Sequence, residues 1–157
     1  MSEKIILPNS FLSIAEEELN QGRSVRILAD GKSMFPFIHG GKDVSEIEPL
    51  QPGEPLKLWH GYMFLHNGRY VIHRYVGEKE GQIIMSGDGN LRIVETVSRK
   101  DVIGHLKSVH TKNGKVIDCT SPSWTRRGRT WHKMRPVRRY LLAAVRRLYK
   151  YGIINPR

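Results

Sequence analysis

Three polar residues in separate short motifs have the types needed for a hydrolytic site. Ser33 lies in "GKSMFPFI", His73 in the strand-like run "YVIHRYV", and Asp88 in the turn "SGDGN". A serine hydroxyl attacks a carbonyl only when a nearby base takes its proton, and a carboxylate commonly orients that base. The order Ser, His, Asp along the chain therefore predicts a nucleophile, a general base and an orienting acid.

Each residue also has a simpler interpretation. The pattern Gly-x-Ser is common in turns, and Asp88 could cap its own loop. His73 shares its predicted strand face with apolar neighbours, which is typical of a hydrogen-bonded, half-buried histidine. Lys32 is disfavoured as the base for Ser33 because adjacent residues of an extended turn point apart. The motifs therefore indicate chemistry only in combination.

The motifs and their order resemble a known superfamily. "GKSMFPFI", "PGEPLKL", "YVIHRYV", "MSGDGN" and "KDVIGHL" follow the order of motifs shared by type I signal peptidases and the self-cleaving SOS-response repressors. The resemblance covers about residues 25 to 110. It implies a signal-peptidase-like β domain that cleaves peptides with a serine nucleophile. The histidine of the third motif is similar to the endoplasmic-reticulum and archaeal type, since bacterial signal peptidases carry lysine there.

The resemblance implies a role for each position. Ser33 would attack the peptide bond, His73 would take and return the proton, and Asp88 would hold the imidazolium. Arg74, on the opposite strand face, would be structural, and Glu95 is the nearest match to a later acidic residue of the family. No metal or cofactor is expected, because general acid–base catalysis needs only these side chains.

The turn around the serine would form the rest of the site. Met34 would pack beneath the nucleophile, Pro36 would fix the turn, and shallow apolar pockets near Met34 and Phe35 would select small side chains. The backbone N–H of Ser33 would stabilise the oxyanion. Gly31 stands where many signal peptidases have a serine that supplies a second donor. The substrate would bind as an extended strand along a sheet edge.

The elements that must position these residues are mainly β-strands. A short helix is predicted in "PNSFLSIAEEELNQG", capped by Asn9 or Ser10 and ended by Gly22. From residue 23 to 113, β-prone runs between glycine turns predict a compact, curled, largely antiparallel domain. "EPLKLWHGYMFLHN" and "GRYVIHRYVG" are expected to be neighbouring strands joined by a turn at Asn67 and Gly68.

Charge divides the chain near residue 120. Residues 1–120 contain 15 Lys+Arg and 15 Asp+Glu, whereas residues 121–157 contain 11 Lys+Arg and no acidic residue, which explains the net charge of +11. We therefore predict a peptidase-like domain over 1–120 and a basic amphipathic tail over 121–157. The tail begins with "SPSWTRRGRTWHKMRP", predicted to be irregular, and continues as the amphipathic helix "VRRYLLAAVRRLYKYG".

Two uses of the tail stay open. Docking on the domain explains its apolar stripe, whereas an anionic membrane surface also explains aromatic rings interleaved with cations. The residues expected at such a membrane or partner surface are Trp124, Arg126, Arg127, Trp131, Arg138, Arg139, Arg146 and Arg147. Nucleic-acid binding could use the same charge, but no recognised reading module accompanies it.

These observations predict a serine endopeptidase that forms an acyl-enzyme on Ser33 and processes a peptide or protein precursor near a membrane. An inactive peptide-binding module of the same fold, or a basic nucleic-acid-binding protein, are the alternatives. The single cysteine, Cys119, excludes an intramolecular disulfide and a cysteine-based zinc site. With no signal sequence or long apolar segment, the expected location is the cytoplasm, peripheral to the membrane if the tail binds lipid.

Overall fold

One curled, mainly antiparallel β-sheet forms the centre of the computed structural model, which describes Ile5–Ile6 and residues 12–154. Across those residues nine strands run in chain order as β1 (Ile5–Ile6), β2 (Val25–Leu28), β3 (Val44–Pro49), β4 (Gly61–His66), β5 (Arg69–Lys79), β6 (Gln82–Ser86), β7 (Glu95–Val97), β8 (Val102–His110) and β9 (Val116–Asp118). Their order in the sheet is β1-β2-β3-β8-β4-β5-β6-β7, with β9 paired to β8. The predicted fold class is confirmed.

Helices flank the sheet at both ends of the described chain. They are α1 (Leu12–Asn20), α2 (Pro122–Lys133) and α3 (Arg138–Lys150). The N-terminal helix was predicted, although its expected caps Asn9 and Ser10 lie outside the described residues. The C-terminal amphipathic helix is also present.

The expectation that the tail begins irregularly is wrong. The segment forms α2, whose first turn is capped by the Ser121 hydroxyl accepting from the Trp124 N–H at 3.3 Å. Pro122 lies in that first turn, where a missing N–H costs nothing. Gly128 serves close packing, since a Cβ there would be 2.2 Å from Arg74 Nη1. Pro122 and Gly128 indicated an irregular segment, but each lies at a position of the helix where its residue type does not interrupt it.

The hairpin of β4 and β5 fixes the register of the histidine-bearing strand. Asn67 and Gly68 both have positive φ, 49° and 72°, as the two-residue turn that suits strand twist requires. This turn pairs His66 with Arg69 and places His73 opposite Tyr62. The predicted turn is confirmed, and it determines which face of β5 carries the imidazole.

The sheet separates two apolar clusters because side chains alternate along each strand. Met63 belongs to the first cluster, with Leu106 and Trp124, whereas its neighbours Tyr62 and Phe64 belong to the second. On β5, Ile72 packs against the first cluster and Val71 and Tyr75 against the second. His73 therefore lies on the face of the second cluster and Arg74 on the face of the first.

The described part of the segment 121–157 packs on the sheet. Trp124 is buried in the first cluster, Arg138 is fully buried, and Trp131 is partly buried with its Nε1 donating to the Asp88 carbonyl oxygen at 2.8 Å. The expectation that Trp124 and Arg138 lie at a membrane or partner surface is wrong, because both side chains are buried inside the protein, and Trp131 is bonded to the domain rather than free at its surface. Five cations of the predicted surface are exposed: Arg126, Arg127, Arg139, Arg146 and Arg147.

None of the described helices combines the length and the apolar character required to cross a bilayer. Membrane association of the exposed cations stays a prediction.

Two buried histidines lie at the junction of β4, β8 and β3. His60 Nδ1 is 2.9 Å from His105 Nε2, and His105 Nδ1 is 3.0 Å from a Glu48 carboxylate oxygen. Glu48 accepts from the Nδ1–H of His105, so His60 donates to the remaining nitrogen. Burial, reinforced by His105, Lys57 and Arg74, lowers the pKa of His60 to about 4.

This lowered pKa makes stability depend on pH. As pH falls, His60 of the unfolded chain binds a proton near pH 6.5, whereas the folded protein accepts it only near pH 4. We expect this residue to lower the free energy of unfolding by up to about 3 kcal/mol across that interval, and by nothing more below it. Urea unfolding at about pH 7 and about pH 4.5 measures the loss. His60→Gln should lose correspondingly less, and equal losses in both proteins would contradict the assignment.

Candidate active site

Ser33 lies in a tight turn after β2. The Lys32 carbonyl accepts from the Phe35 N–H at 3.2 Å, and the Met34 carbonyl accepts from the Ile38 N–H at 3.0 Å. Met34 is buried in the first cluster directly after the serine, as expected, whereas Ser33 itself is half-buried. The turn is thus anchored by its apolar residues, and Ser33 is not fully enclosed.

The glycines of "SGDGN" allow that loop to touch the backbone of the serine turn. The Gly89 N–H donates to the Ser33 carbonyl oxygen at 2.7 Å. A Cβ on Gly89 would lie 2.1 Å from the Lys32 carbonyl oxygen, and one on Gly87 would lie 2.5 Å from that of Ser33. Only glycine permits such an approach. The two motifs that resemble the superfamily are therefore packed backbone to backbone.

His73 is buried and held from one side. Its Nδ1 is 2.8 Å from Glu95 Oε2, and its ring lies edge-on to Phe64 with centroids 5.8 Å apart. Because a carboxylate only accepts, Nδ1 carries the proton and Nε2 presents its lone pair. Within the described residues Nε2 has no hydrogen-bond partner. Leaving a buried polar atom unpaired costs about 1–3 kcal/mol, which marks this nitrogen as a candidate functional atom.

The unpaired nitrogen lies beside the serine turn. The point where a Gly87 Cβ would stand is 2.9 Å from His73 Nε2 and 2.5 Å from the Ser33 carbonyl oxygen. No hydrogen bond joins the Ser33 hydroxyl to the imidazole across the described part of the chain. Such bonds are often long before substrate binds. The structure thus brings the predicted nucleophile and base into one neighbourhood without direct contact.

Asp88 does not contact His73, and the expectation that it orients the imidazole is wrong. Its carboxylate forms a bidentate ion pair with Arg74, with Nε–Oδ1 at 2.9 Å and Nη2–Oδ2 at 2.7 Å. Both side chains are buried. The physical reason is alternation along β5: Arg74 projects from the face opposite His73, and Asp88 lies with Arg74. Glu95 makes the contact predicted for Asp88.

Arg74 is structural, as the resemblance implies. Its Nη1 donates to the Trp59 carbonyl oxygen at 2.6 Å, and its guanidinium lies 4.9 Å from the Phe37 ring centroid and 5.1 Å from that of Trp124. A cation so enclosed requires its counter-ion, so the Arg74–Asp88 pair ties the "SGDGN" loop to α2.

The backbone of Ser33 is suitable for binding an oxyanion. Among the described residues, neither its amide N–H nor its hydroxyl has a hydrogen-bond partner. Gly31, two residues earlier, has φ of 101°, a conformation that favours glycine and lets the chain turn sharply before Ser33. The N–H is therefore free to donate to a substrate carbonyl.

A groove of about 370 Å³ opens beside Ser33. One wall is the end of β2 with the residues that follow it to Gly31, the other is the start of β5, and Met34 lies between them. β5 pairs with β4 along 69–74 but with β6 only from Arg74 onward, so the edge of residues 69–73 is open in the described sheet. An extended peptide can add to such an edge.

Two predicted groove residues lie outside this cavity. Phe35 packs against His39 and Tyr149, with ring centroids 5.3 and 5.8 Å away, and Pro36 borders a separate cavity beside α2. Of the three residues expected in the groove, only Met34 borders it. Adjacent residues of the turn diverge, so its apolar side chains cannot share one pocket.

The C-terminal helices support the loop that contacts Ser33. Arg138 Nη2 donates to the carbonyl oxygens of Gly87, at 3.2 Å, and of Asn90, while Trp131 binds the Asp88 carbonyl. Sequence reasoning missed this role because a cation in a basic tail indicates solvent exposure. The only signal was the helical period that places Arg138 and Leu142 on one face, both of which are buried.

A second serine, Ser108, has a histidine and a carboxylate beside it, but these three side chains are not arranged as a catalytic triad. Its hydroxyl is 2.8 Å from Glu46 Oε2 and 3.1 Å from His110 Nε2, and that same nitrogen is 3.0 Å from Glu46. A catalytic triad uses opposite nitrogens of the imidazole for base and orientation. Of these two histidines, His73 has that arrangement, with Nδ1 on Glu95 and Nε2 toward the serine turn.

Neither a scan against models of protein families nor a search among curated proteins finds a match to this sequence. The geometry around Ser33, His73 and Glu95 is therefore the basis on which a function can be assigned.

Proposed function

We propose that this chain is a serine endopeptidase of the signal-peptidase-like kind, which cleaves an extended peptide through an acyl-enzyme on Ser33. The observation that carries the proposal is the buried His73, with Nδ1 held by Glu95 and an unpaired Nε2 beside the serine turn. The open edge of β5 and the adjoining groove support an extended substrate.

In the first half-reaction, His73 Nε2 takes the hydroxyl proton of Ser33 as Oγ attacks the substrate carbonyl carbon. Glu95 stabilises the imidazolium that results. The Ser33 N–H donates to the oxyanion, a contact typically worth about 3–4 kcal/mol of barrier. His73 then gives the proton to the leaving amine, the C–N bond breaks, and an ester on Ser33 remains.

In the second half-reaction, water attacks the ester while His73 again accepts a proton. Collapse of the second tetrahedral intermediate returns that proton to Ser33 and releases the new carboxyl terminus. Each half-reaction leaves the imidazole neutral, so no other proton donor is required. Met34 and the start of β5 border the groove beside Ser33, and we expect it to accept small residues at the cleaved bond.

The test is covalent labelling of the purified protein with a serine-acylating penem, followed by mass spectrometry of proteolytic fragments. We expect one adduct per chain, located on Ser33 and absent from Ser108. An adduct on Ser108, or none at all, would contradict the proposal. A protein that binds extended peptides but is never acylated would be a binding module of the same fold.

A further inference from the structure

A second cavity, of about 500 Å³, adjoins the serine turn. Four cations border it: Lys32 and Lys42 from the loops around the turn, and Arg146 and Lys150 from α3. Across the part of the chain that the structure describes, no Asp or Glu borders this cavity. Cations from three separate segments therefore converge on one space, which we name the basic pocket.

The basic pocket is continuous with the groove beside Ser33. Gly31 and Gly40 border both cavities. These two glycines touch through their backbones, since a Cβ on Gly40 would lie 1.8 Å from the Gly31 carbonyl oxygen. Because neither glycine has a side chain, no side chain of these two residues separates the cavities at this point. A peptide in the groove can therefore extend over Gly31 into the basic pocket.

The position of α3 at the pocket is fixed by Tyr149. Its hydroxyl is 3.3 Å from His39 Nε2, and its ring contacts Phe35 with centroids 5.8 Å apart. Arg146 and Lys150 lie on either side of this anchor along the helix. Cations are favoured near a helix C-terminus, but that preference does not explain the lysines contributed by the two loops.

The four cations have no counter-ions within the described structure. All four are exposed, and among the residues that the structure describes no ion pair involves them. The carboxylates of Asp43 and Asp30 accept hydrogen bonds from the backbone N–H groups of His39 and Gly31, both at 2.8 Å, and within the described residues they form no ion pair with the four cations. A cleft bordered by charges of one sign attracts ligands of the opposite sign.

We propose that the basic pocket binds an acidic side chain of the peptide substrate, so that the enzyme prefers Asp or Glu close to the cleaved bond. This inference rests on the proposed peptidase function. Gly31 is two residues from the nucleophile, a span of about 7 Å, which places the acidic residue within about three positions of the bond. The same cations could attract a lipid phosphate, but continuity with the groove favours a peptide.

The test compares peptides that differ only by Glu, Gln or Lys at each position within about three residues of the cleavage site. At one position we expect kcat/KM to fall in the order Glu, Gln, Lys, with about a tenfold difference between Glu and Gln from several partly exposed charge contacts. Rising salt should reduce this difference. Equal rates for the three peptides at every position would overturn the inference.

Reversing the charge of two pocket residues tests whether the preference for acidic peptides arises in the basic pocket. In the double variant Arg146→Glu and Lys150→Glu, the ratio of kcat/KM for Glu and Lys peptides should fall by at least about tenfold. Arg147→Glu is the matched control, because Arg147 is an exposed cation of the same helix that does not border the pocket. An equal change in the control would overturn the proposal.

Two further measurements separate the possible failures. If no peptide is cleaved and penem does not label Ser33, the peptidase function itself fails, and this inference fails with it. If peptides are cleaved with an unchanged Glu-to-Lys ratio in the double variant, only the subsite is overturned. If the double variant no longer binds anionic phospholipid vesicles but keeps the peptide preference of the unmodified protein, the basic pocket binds lipid. That result would also overturn the subsite proposal.

Discussion

Replacing Ser33 by alanine is expected to lower peptide cleavage by about 10⁵- to 10⁶-fold, and replacing His73 by alanine to lower it nearly as much. The two side chains act as one unit, because the hydroxyl attacks only if Nε2 removes its proton. Residual turnover would come from oxyanion binding by the Ser33 N–H and from peptide binding in the groove. Single-turnover cleavage of a fluorogenic peptide measures the loss.

The combined Ser33→Ala and His73→Ala variant provides the sharper comparison. We expect it to be as active as either single variant. Once one of the two side chains is absent, the other no longer contributes to catalysis, so removing it has no further effect. Ser108→Ala is the control, because its hydroxyl has a similar set of neighbours that are not arranged as a catalytic triad. Losses that multiply, or a Ser33→Ala enzyme with wild-type activity, would show that the two residues do not cooperate.

Local sequence signals were sufficient for the fold class and for much of the site. Asn67 and Gly68 can adopt the positive φ that a tight hairpin needs, and the turn that they form is consistent with the register in which β4 pairs with β5. The glycines around Ser33 and Asp88 indicate turns, and the structure shows that Gly87 and Gly89 also bring these two turns into backbone contact. These inferences succeed because each depends on residues adjacent in sequence.

The identity of the orienting acid could not be predicted in the same way. Asp88 and Glu95 are the two acidic candidates that the motifs place after His73, and the choice between them depends on long-range pairing. β7 pairs with β6 so that Glu95 lies opposite Met85, which brings its carboxylate to His73. One sequence clue existed: Arg74 must project away from its neighbour and requires an acid on that other face, which is Asp88.

The fate of the basic tail also depended on tertiary contacts. Its charge indicated exposure, yet Arg138 is fully enclosed and binds carbonyl oxygens of the loop behind Ser33. Trp124 was assigned to an interface because aromatic rings suit headgroups, but the same apolar area suits a core. Composition cannot separate these uses, since both exploit an apolar ring beside a cation.

Substitution of Glu95 and of Asp88 should have different effects on catalysis and on stability. Glu95→Gln is expected to lower kcat by about 10³- to 10⁴-fold, as when the orienting carboxylate of a serine–histidine triad becomes an amide. The amide can donate to Nδ1, which moves the imidazole proton to Nε2 and removes the lone pair that the serine needs. Because Glu95 is only partly buried and Gln keeps its size, we expect little change in the urea midpoint.

Asp88→Asn should instead lower stability strongly and cleavage activity only slightly. It leaves the enclosed Arg74 without its counter-ion, and breaking a buried pair by removing one partner costs about 3–5 kcal/mol of unfolding free energy. Cleavage by the folded fraction should fall by less than about tenfold, because this carboxylate does not touch the imidazole. Urea unfolding and kcat, measured on the same samples, separate the two effects.

A compensating pair tests the structural role of Asp88 even if Asp88→Asn does not fold. Replacing both partners, with Arg74→Met and Asp88→Leu, removes the buried charges together, so this protein should be more stable than Asp88→Asn. If Asp88→Asn is instead stable but about 10³-fold less active, while Glu95→Gln cleaves normally, then Asp88 is the catalytic acid. The ion pair with Arg74 would in that case have to open during the reaction, and the buried guanidinium would have to find another partner as it did so.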